Sequence, residues 1–307
     1  MLRLALVPVV MFIFTACSGS ADSPAPDGTL DLRVEVPKDE GGYLNFEGGE
    51  GTIPSGEERM FCTHMRYDGD ELAFSDAQAI QAGKFGHHAI LLGVKEAYVQ
   101  APGTVVDCTA ASEMSKYDAF ALPVEMPEGY GVLLPKGKNM VLQSHYVNTG
   151  KVPILIRDYV RLKTLPTSEV KTWAGMFATN TLLLKIGAKK TDTVSFDCTM
   201  KHDGDLVLLG GHMHETGTKI ELLHGPDADH LASVYLADPW KPEFRDTPPI
   251  NILWTKPIPV KAGDVFRTTC TWTNPEDKEL TFPREMCSSF GYVRGTQATE
   301  VCNVGAE

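Results

Sequence analysis

The sequence predicts an all-β fold of two tandem antiparallel β-sandwich domains, jelly-roll-like in pattern. Short runs rich in Val, Ile, Leu, Thr and aromatic residues recur along the chain, clusters of Gly, Pro, Asn and Asp separate them, and helical periodicity is scarce. At 307 residues the chain exceeds the usual single-domain range and can bury two cores. The formal net charge of -12 argues against nucleic acid as a partner, because a phosphate backbone selects a basic face.

Residues 1–17, "MLRLALVPVVMFIFTAC", carry one basic residue, Arg3, then an apolar stretch of about eleven residues, too short to span a bilayer. Small residues before Cys17 suit signal cleavage. This segment resembles a bacterial lipoprotein signal peptide, with Cys17 as the lipobox cysteine that becomes the lipidated first residue. An ordinary secretory signal with an incidental cysteine is the alternative. Residues 18–29, beginning "SGSADSPAPDG", have the composition of a flexible tether. Both readings export the chain; the first anchors it by lipid to a bacterial membrane, on the periplasmic or outer-membrane side.

Strands are expected at "LDLRVEV" (30–36), "HAILLGV" (88–94), "NMVLQSHYVN" (139–148) and "PILIRDYVRLKTL" (153–165) in a first domain spanning 30–165. In a second, 166–307, they are expected at "NTLLLKI" (180–186), "DLVLLGGHMH" (205–214), "TKIELL" (218–223) and "DVFRTTCTWTN" (264–274). Helices are expected at "SDAQAIQAG" (75–83) and briefly at "AASEMSKYD" (110–118). The polar, proline-bearing stretch "LKTLPTSEVKTW" (162–173) marks the boundary, near residue 165.

Of seven cysteines, six remain once Cys17 is set aside: Cys62, Cys108, Cys198, Cys270, Cys287 and Cys302. An even number in an exported chain reads as structural bridges, whose pairing the sequence leaves open.

"GHHAILLG" (86–93) sets two adjacent histidines, His87 and His88, at the head of a buried strand, where alternation should send them to opposite faces. "LQSHYVN" adds His145, with Gln143 on the same face. "GGHMHETG" places His212 and His214 two apart at a strand end, so that both rings leave the same face. Imidazole alone does not choose between copper and zinc. Met286, in "FPREMCSSFGYV" beside Cys287, is a soft thioether that favours Cu(I). His64, His202, His224 and His230 read as exposed or locally hydrogen-bonded, and "KHDGD" (201–205) as a turn.

In order, "HH", "LQxHY", "HxH", "GDVxxTxCTxxxxxDxE" and "EMC" resemble the copper type II, ascorbate-dependent monooxygenases, the group of peptidylglycine alpha-hydroxylating monooxygenase and dopamine beta-monooxygenase. The likeness runs from about Met60 to Cys302. It implies two copper ions per chain facing an interdomain cleft, with His87, His88 and His145 holding an electron-storing copper. His212, His214 and Met286 would hold the copper that binds O2, and Gln143 would serve as a polar contact near a small-molecule substrate. It implies the bridges Cys62–Cys108, Cys198–Cys302 and Cys270–Cys287. The implied activity is hydroxylation of an activated C–H bond, using O2 and ascorbate or another one-electron reductant. Where the peptide-amidating relatives carry an Arg, an Asn and a Tyr to hold a peptide carboxylate, this chain has Gly210, Ser288 and Phe290, so the expected substrate is less charged and more apolar. A non-catalytic copper-binding or electron-transfer lipoprotein of the same fold is the rival reading, and a purely structural or adhesive sandwich a second. Oligomeric state is left open.

Overall fold

The computed structural model describes residues 28–304; the leader, Cys17 and nearly all of the tether lie outside the described residues. The architecture is almost entirely β, in four sheets. A five-stranded sheet runs Val105–Asp107, Glu58–Tyr67, Lys138–Val147, Gly86–Val94 and Tyr117–Ala119, all antiparallel. A four-stranded sheet, Thr191–Thr199, Val265–Thr273, Gly217–Gly225 and Ala232–Ala237, serves the second half, and a small three-stranded sheet edges the first.

A ten-stranded sheet joins them. Its order runs from Ile250–Ile252 through Gly204–His212, Cys287–Arg294 and Thr172–Thr181 to Tyr130–Leu134. It continues through Leu72–Ile80 and Tyr159–Pro166 to Tyr43–Glu47, and two strands off this path, Ile258–Val260 beside Gly204–His212 and Glu300–Val304 beside Thr172–Thr181, complete the ten. Each half packs a smaller sheet on this shared one. Phe74, Leu91, Met140, Leu142, Val160 and Leu162 fill the first sandwich, while Phe177, Leu206, Leu209, Ile220, Phe266 and Trp272 fill the second. Tyr130 and Gly131 pair in parallel with Thr172 and Trp173, so the sheet continues through the division drawn near residue 165. The first core also takes in Met176, Val207, Leu208 and Tyr292 from the second half.

Several segments differ from expectation. The helix expected at 75–83 is instead the strand Leu72–Ile80, paired with both Tyr159–Pro166 and Tyr130–Leu134. Ala and Gln favour a helix locally, but the small side chain of Ala77, beside Phe74, suits a surface pressed against a second sheet, and that packing overrides propensity. The helix at 110–118 shrinks to one turn, Ala111–Met114, before the strand Tyr117–Ala119. Within "LDLRVEV" the regular strand covers Leu30–Asp31, with Leu32 and Val34 still donating to the Leu155 and Arg157 carbonyls (2.8 and 2.9 Å), and "PILIRDYVRLKTL" divides into Ile154–Ile156 and Tyr159–Pro166. The strand expected at 180–186 lies earlier, at Thr172–Thr181, leaving an isolated bridge at Ile186.

The disulfides pair Cys62–Cys108, Cys198–Cys302 and Cys270–Cys287, as the resemblance implied. Three bridges fit an oxidising, exported setting. Among the described residues no helix is long and apolar enough to cross a membrane.

Enlarging Ala77, which is 5% exposed beneath the five-stranded sheet, tests the strand assignment. Ala77→Leu should cost about 1–3 kcal/mol in denaturant unfolding through overpacking. An exposed helical position would accept the same change without loss.

Candidate metal centre

The five-stranded sheet supplies the first three histidines. His145, on the central strand Lys138–Val147, pairs directly with His88 on Gly86–Val94, and the next pair is Tyr146 with Gly86. The register skips His87. This β-bulge re-aims one side chain and resolves the alternation problem, because His87 and His88 no longer fall on opposite faces. The three rings form a near-equilateral triangle, with centroids 4.8 Å (His87 to His88), 4.6 Å (His87 to His145) and 4.9 Å (His88 to His145) apart. Glycine is required before them, since a Cβ on Gly86 would lie 2.8 Å from the Ala82 carbonyl oxygen.

The other two histidines come from the end of Gly204–His212. His214 lies beyond the strand, in a turn, so strand alternation does not place it. Buried Glu285 does. One of its oxygens accepts from the backbone N–H of His214 (3.0 Å), the Trp272 indole (3.0 Å) and the N–H of Met286 (3.4 Å). The other accepts from both the N–H and the hydroxyl of Thr216, at 2.7 Å each. The backbone amides of His214 and Met286 thus share one carboxylate. Burial pushes the Glu285 carboxyl above its ordinary range, against the donors that favour its ionised form. Met286 is half-buried and packs against the small core that includes Met60, Cys62, Cys108 and Phe282.

Hydrogen bonds fix the proton on four of the five rings. His87 donates Nδ1–H to Asp246 (2.5 Å), and His214 donates Nδ1–H to the Arg284 carbonyl (3.2 Å). His145 donates Nε2–H to Glu58 (2.8 Å), and His88 donates Nε2–H to the Gln143 carbonyl oxygen (2.9 Å). Since each acceptor is an oxygen, the lone pair sits on the opposite nitrogen. Among the described residues, Nε2 of His87, Nδ1 of His145, Nε2 of His212 and Nε2 of His214 are buried with no hydrogen-bond partner. Burial, with the neighbouring imidazoles opposing a further positive charge, holds His87, His145 and His212 well below the ordinary histidine range, Arg245 adding to the effect on the last two, and burial takes His214 to about 4. Neutral rings with inward lone pairs are what a metal ion requires. The ring nitrogens form two groups that could hold one, His87, His88 and His145, and His87, His212 and His214.

Two sequence expectations change here. The cleft between the histidine sets is closed: the ring centroid of His87 is 5.3 Å from that of His214 and 6.1 Å from that of His212. The two sets are therefore one cluster, because the shared sheet and core draw the halves together. Gln143, expected beside a substrate, is buried and occupied at both ends of its amide. Its oxygen holds His88, while its nitrogen faces the sulfurs of Met114 (2.8 Å) and Met60 (3.6 Å).

The remaining histidines lie elsewhere. His202, His224 and His230 bond to Glu300, Asp264 and Asp227, and His64 is buried against Tyr117. The turn residue Asp203 accepts from Ala262 and Lys261. Glu285, Glu58 and Asp246 were not foreseen. For Glu285 the available signal was its membership of the "EMC" motif, beside a bridge cysteine.

Gly210 and Phe290 are register partners, and a Cβ on Gly210 would lie 2.5 Å from the Phe290 ring and 3.0 Å from Ile250. The aromatic ring covers the glycine. Nearby, Arg245 and Arg284 both bond to Glu215.

No described protein family matches the chain, and no curated protein does. Among solved structures, one titled "Crystal Structure of the STIV MCP" aligns with 8% identity over 81% of this chain and 91% of its own, at a TM-score of 0.29. A second, the plant peptide RALF23 in complex with FER and LLG2, aligns with 7% identity over 85% of this chain and 84% of that one, at 0.21. Neither likeness is close enough to bear on function.

Glu285→Gln places an N–H₂ group among donors, and should cost about 1–3 kcal/mol in unfolding while displacing the His214 turn. Gly210→Ala should also destabilise, by about 1–3 kcal/mol, and Phe290→Ala should recover much of that loss in a double-mutant cycle. Additive effects would mean that the ring moves aside freely.

Proposed function

We propose that the protein is a copper-dependent monooxygenase that hydroxylates an activated C–H bond of a small organic substrate, using O2 and ascorbate or another one-electron reductant. The observation that carries this reading is the convergence of buried, unpartnered imidazole nitrogens from both halves of the chain on one place. Leaving several such nitrogens without partners costs free energy unless a ligand completes them. The ordered resemblance of the motifs supplies the choice of metal.

His87, His88 and His145 would hold one copper ion, and His212, His214 and Met286 a second. When bound, copper supplies one-electron chemistry and O2 activation. The chain's own residues do the rest. Asp246, Glu58, Gln143 and the Arg284 carbonyl keep each proton on the outer nitrogen, so no ring must lose one to bind metal. Glu285 sets His214 and Met286 relative to each other through their backbone amides. Burial keeps bulk water from the ring nitrogens.

An apolar or weakly polar substrate suits the surroundings. Phe290 covers Gly210, and the guanidinium groups of Arg245 and Arg284 are engaged by Glu215, which leaves them committed rather than waiting for a substrate carboxylate. The signal-like leader ending in Cys17 supports export and lipid anchoring at a bacterial membrane. One observation favours the alternative, a copper-binding or electron-transfer protein without catalysis: the ring contacts across the halves close the gap in which a substrate would sit.

Oxygen uptake with copper, a reductant and a panel of small molecules, read by mass for one added oxygen atom, separates the two. Substrate-dependent uptake is expected; copper binding without it selects the non-catalytic reading. Met286→Ile should abolish hydroxylation while copper persists on the histidines, and loss of all copper would contradict the thioether's assignment to one ion. Glycine-extended peptides should be poor substrates, since an unpartnered buried carboxylate costs several kcal/mol. Gly210→Arg combined with Phe290→Ala, which makes room for the longer side chain, should improve them. Efficient turnover of such peptides by the unmodified protein would overturn this reading of the substrate.

A further inference from the structure

We infer that His87, His212 and His214 form a metal site of their own spanning the two halves, in which Asp246 positions His87. The inference rests on the metal-binding part of the reading above and changes its ligand sets. The Nε2 atoms of these three residues are buried without hydrogen-bond partners, and their ligand nitrogens fall within 4.8 Å of one another, a group as tight as the one that His87 makes with His88 and His145. Three neutral imidazoles suit copper or zinc.

His87 decides how the cluster fills. Its Nδ1 is engaged with Asp246, so a single lone pair, on Nε2, faces both groups. One lone pair binds one ion. An ion taken by His212 and His214 together with His87 leaves His88 and His145 as a two-nitrogen remainder, and the two sites compete for His87 instead of filling independently.

Asp246 reaches His87 from the opposite half, directly after the short helical turn Pro242–Arg245. Arg245 donates to both Asp246 oxygens, at 2.9 and 3.1 Å, and also to Glu215, which follows His214 and accepts from Arg284 as well. The carboxylate that aims His87 and the turn that carries His214 are thus tied to one guanidinium. An outer carboxylate of this kind orients the ring and raises its basicity as a ligand, and its removal commonly weakens metal binding by roughly 10–100-fold.

Titration with Cu(II), with Zn(II) as a redox-inert control, tests the site in three proteins: unmodified, His87→Ala and Asp246→Asn. Nitrogen ligation is read by electron paramagnetic resonance and X-ray absorption, and folding by thermal unfolding without metal. His87→Ala should weaken the ion held by His212 and His214 at least ~10-fold and lower its nitrogen count from three to two. Asp246→Asn alters a half-exposed side chain outside the core and should weaken the same ion with all three nitrogens retained. An ion at His212 and His214 that keeps its affinity and ligand count in both variants would overturn the inference and leave two separate sites. If His87→Ala fails to fold, Asp246→Asn decides alone. Absence of metal binding by the unmodified protein would instead overturn the copper reading itself.

Discussion

A buried imidazole is neutral, and the acceptor that takes its single N–H decides where its lone pair points. That constraint governs the centre of this protein. Two carboxylates, one amide oxygen and one backbone carbonyl take the outward N–H groups of His87, His145, His88 and His214. With those four bonds made, the opposite nitrogens converge whether or not anything occupies the space between them. Burial reinforces the arrangement, because protonating one ring's inward nitrogen would place a positive charge among four other imidazoles in a space that water does not reach.

The acceptors are themselves held by the fold. Glu285 shows how far this goes: a carboxylate with 0% exposure is tolerated because donors from His214, Thr216, Trp272 and its own neighbour Met286 surround it. Those donors come from the turn after Gly204–His212 and from the strand Val265–Thr273, so the bonds that satisfy the acid also weld the loop carrying His214 to the segment carrying Met286. Cys270–Cys287 closes the same region covalently.

Much of this was legible in the sequence, and the illegible part has a physical pattern. Strands such as Gly86–Val94 and Lys138–Val147 announced themselves because aliphatic runs with turn residues at their ends admit few other structures. Leu72–Ile80 did not, because alanines chosen to fit beneath a sheet look like alanines chosen for a helix. The five histidines and Met286 stood out as residue types. Their mutual distance did not, since it depends on a sheet that pairs Tyr130 with Thr172 across the chain's midpoint. The bulge at His87 was hidden for a similar reason: a skipped register is a property of two strands, and neither one encodes it alone. Glu285 and Asp246 were missed because a buried or bridging carboxylate has the same letter as a solvated one.

The meeting of the two histidine groups follows from apolar packing more than from polar contact. If only the Asp246 bond to His87 joined the halves, they would behave as hinged domains, for which relative motion is the default. Instead a single core carries Met176, Val207, Leu208 and Tyr292 of the second half among Phe74, Leu91, Leu134 and Leu142 of the first, and the Leu122 N–H donates to the Tyr292 hydroxyl at 3.1 Å. Separating the rings by rotation would expose that core and break the sheet pairing beside it. Each fully buried large side chain is worth about 1.5–3 kcal/mol, so parting several of them outweighs any single hydrogen bond at the cluster. The proximity of His87 to His212 and His214 is accordingly a property of the core, and the polar network around Arg245 only adjusts the rings within a separation that the packing has already set.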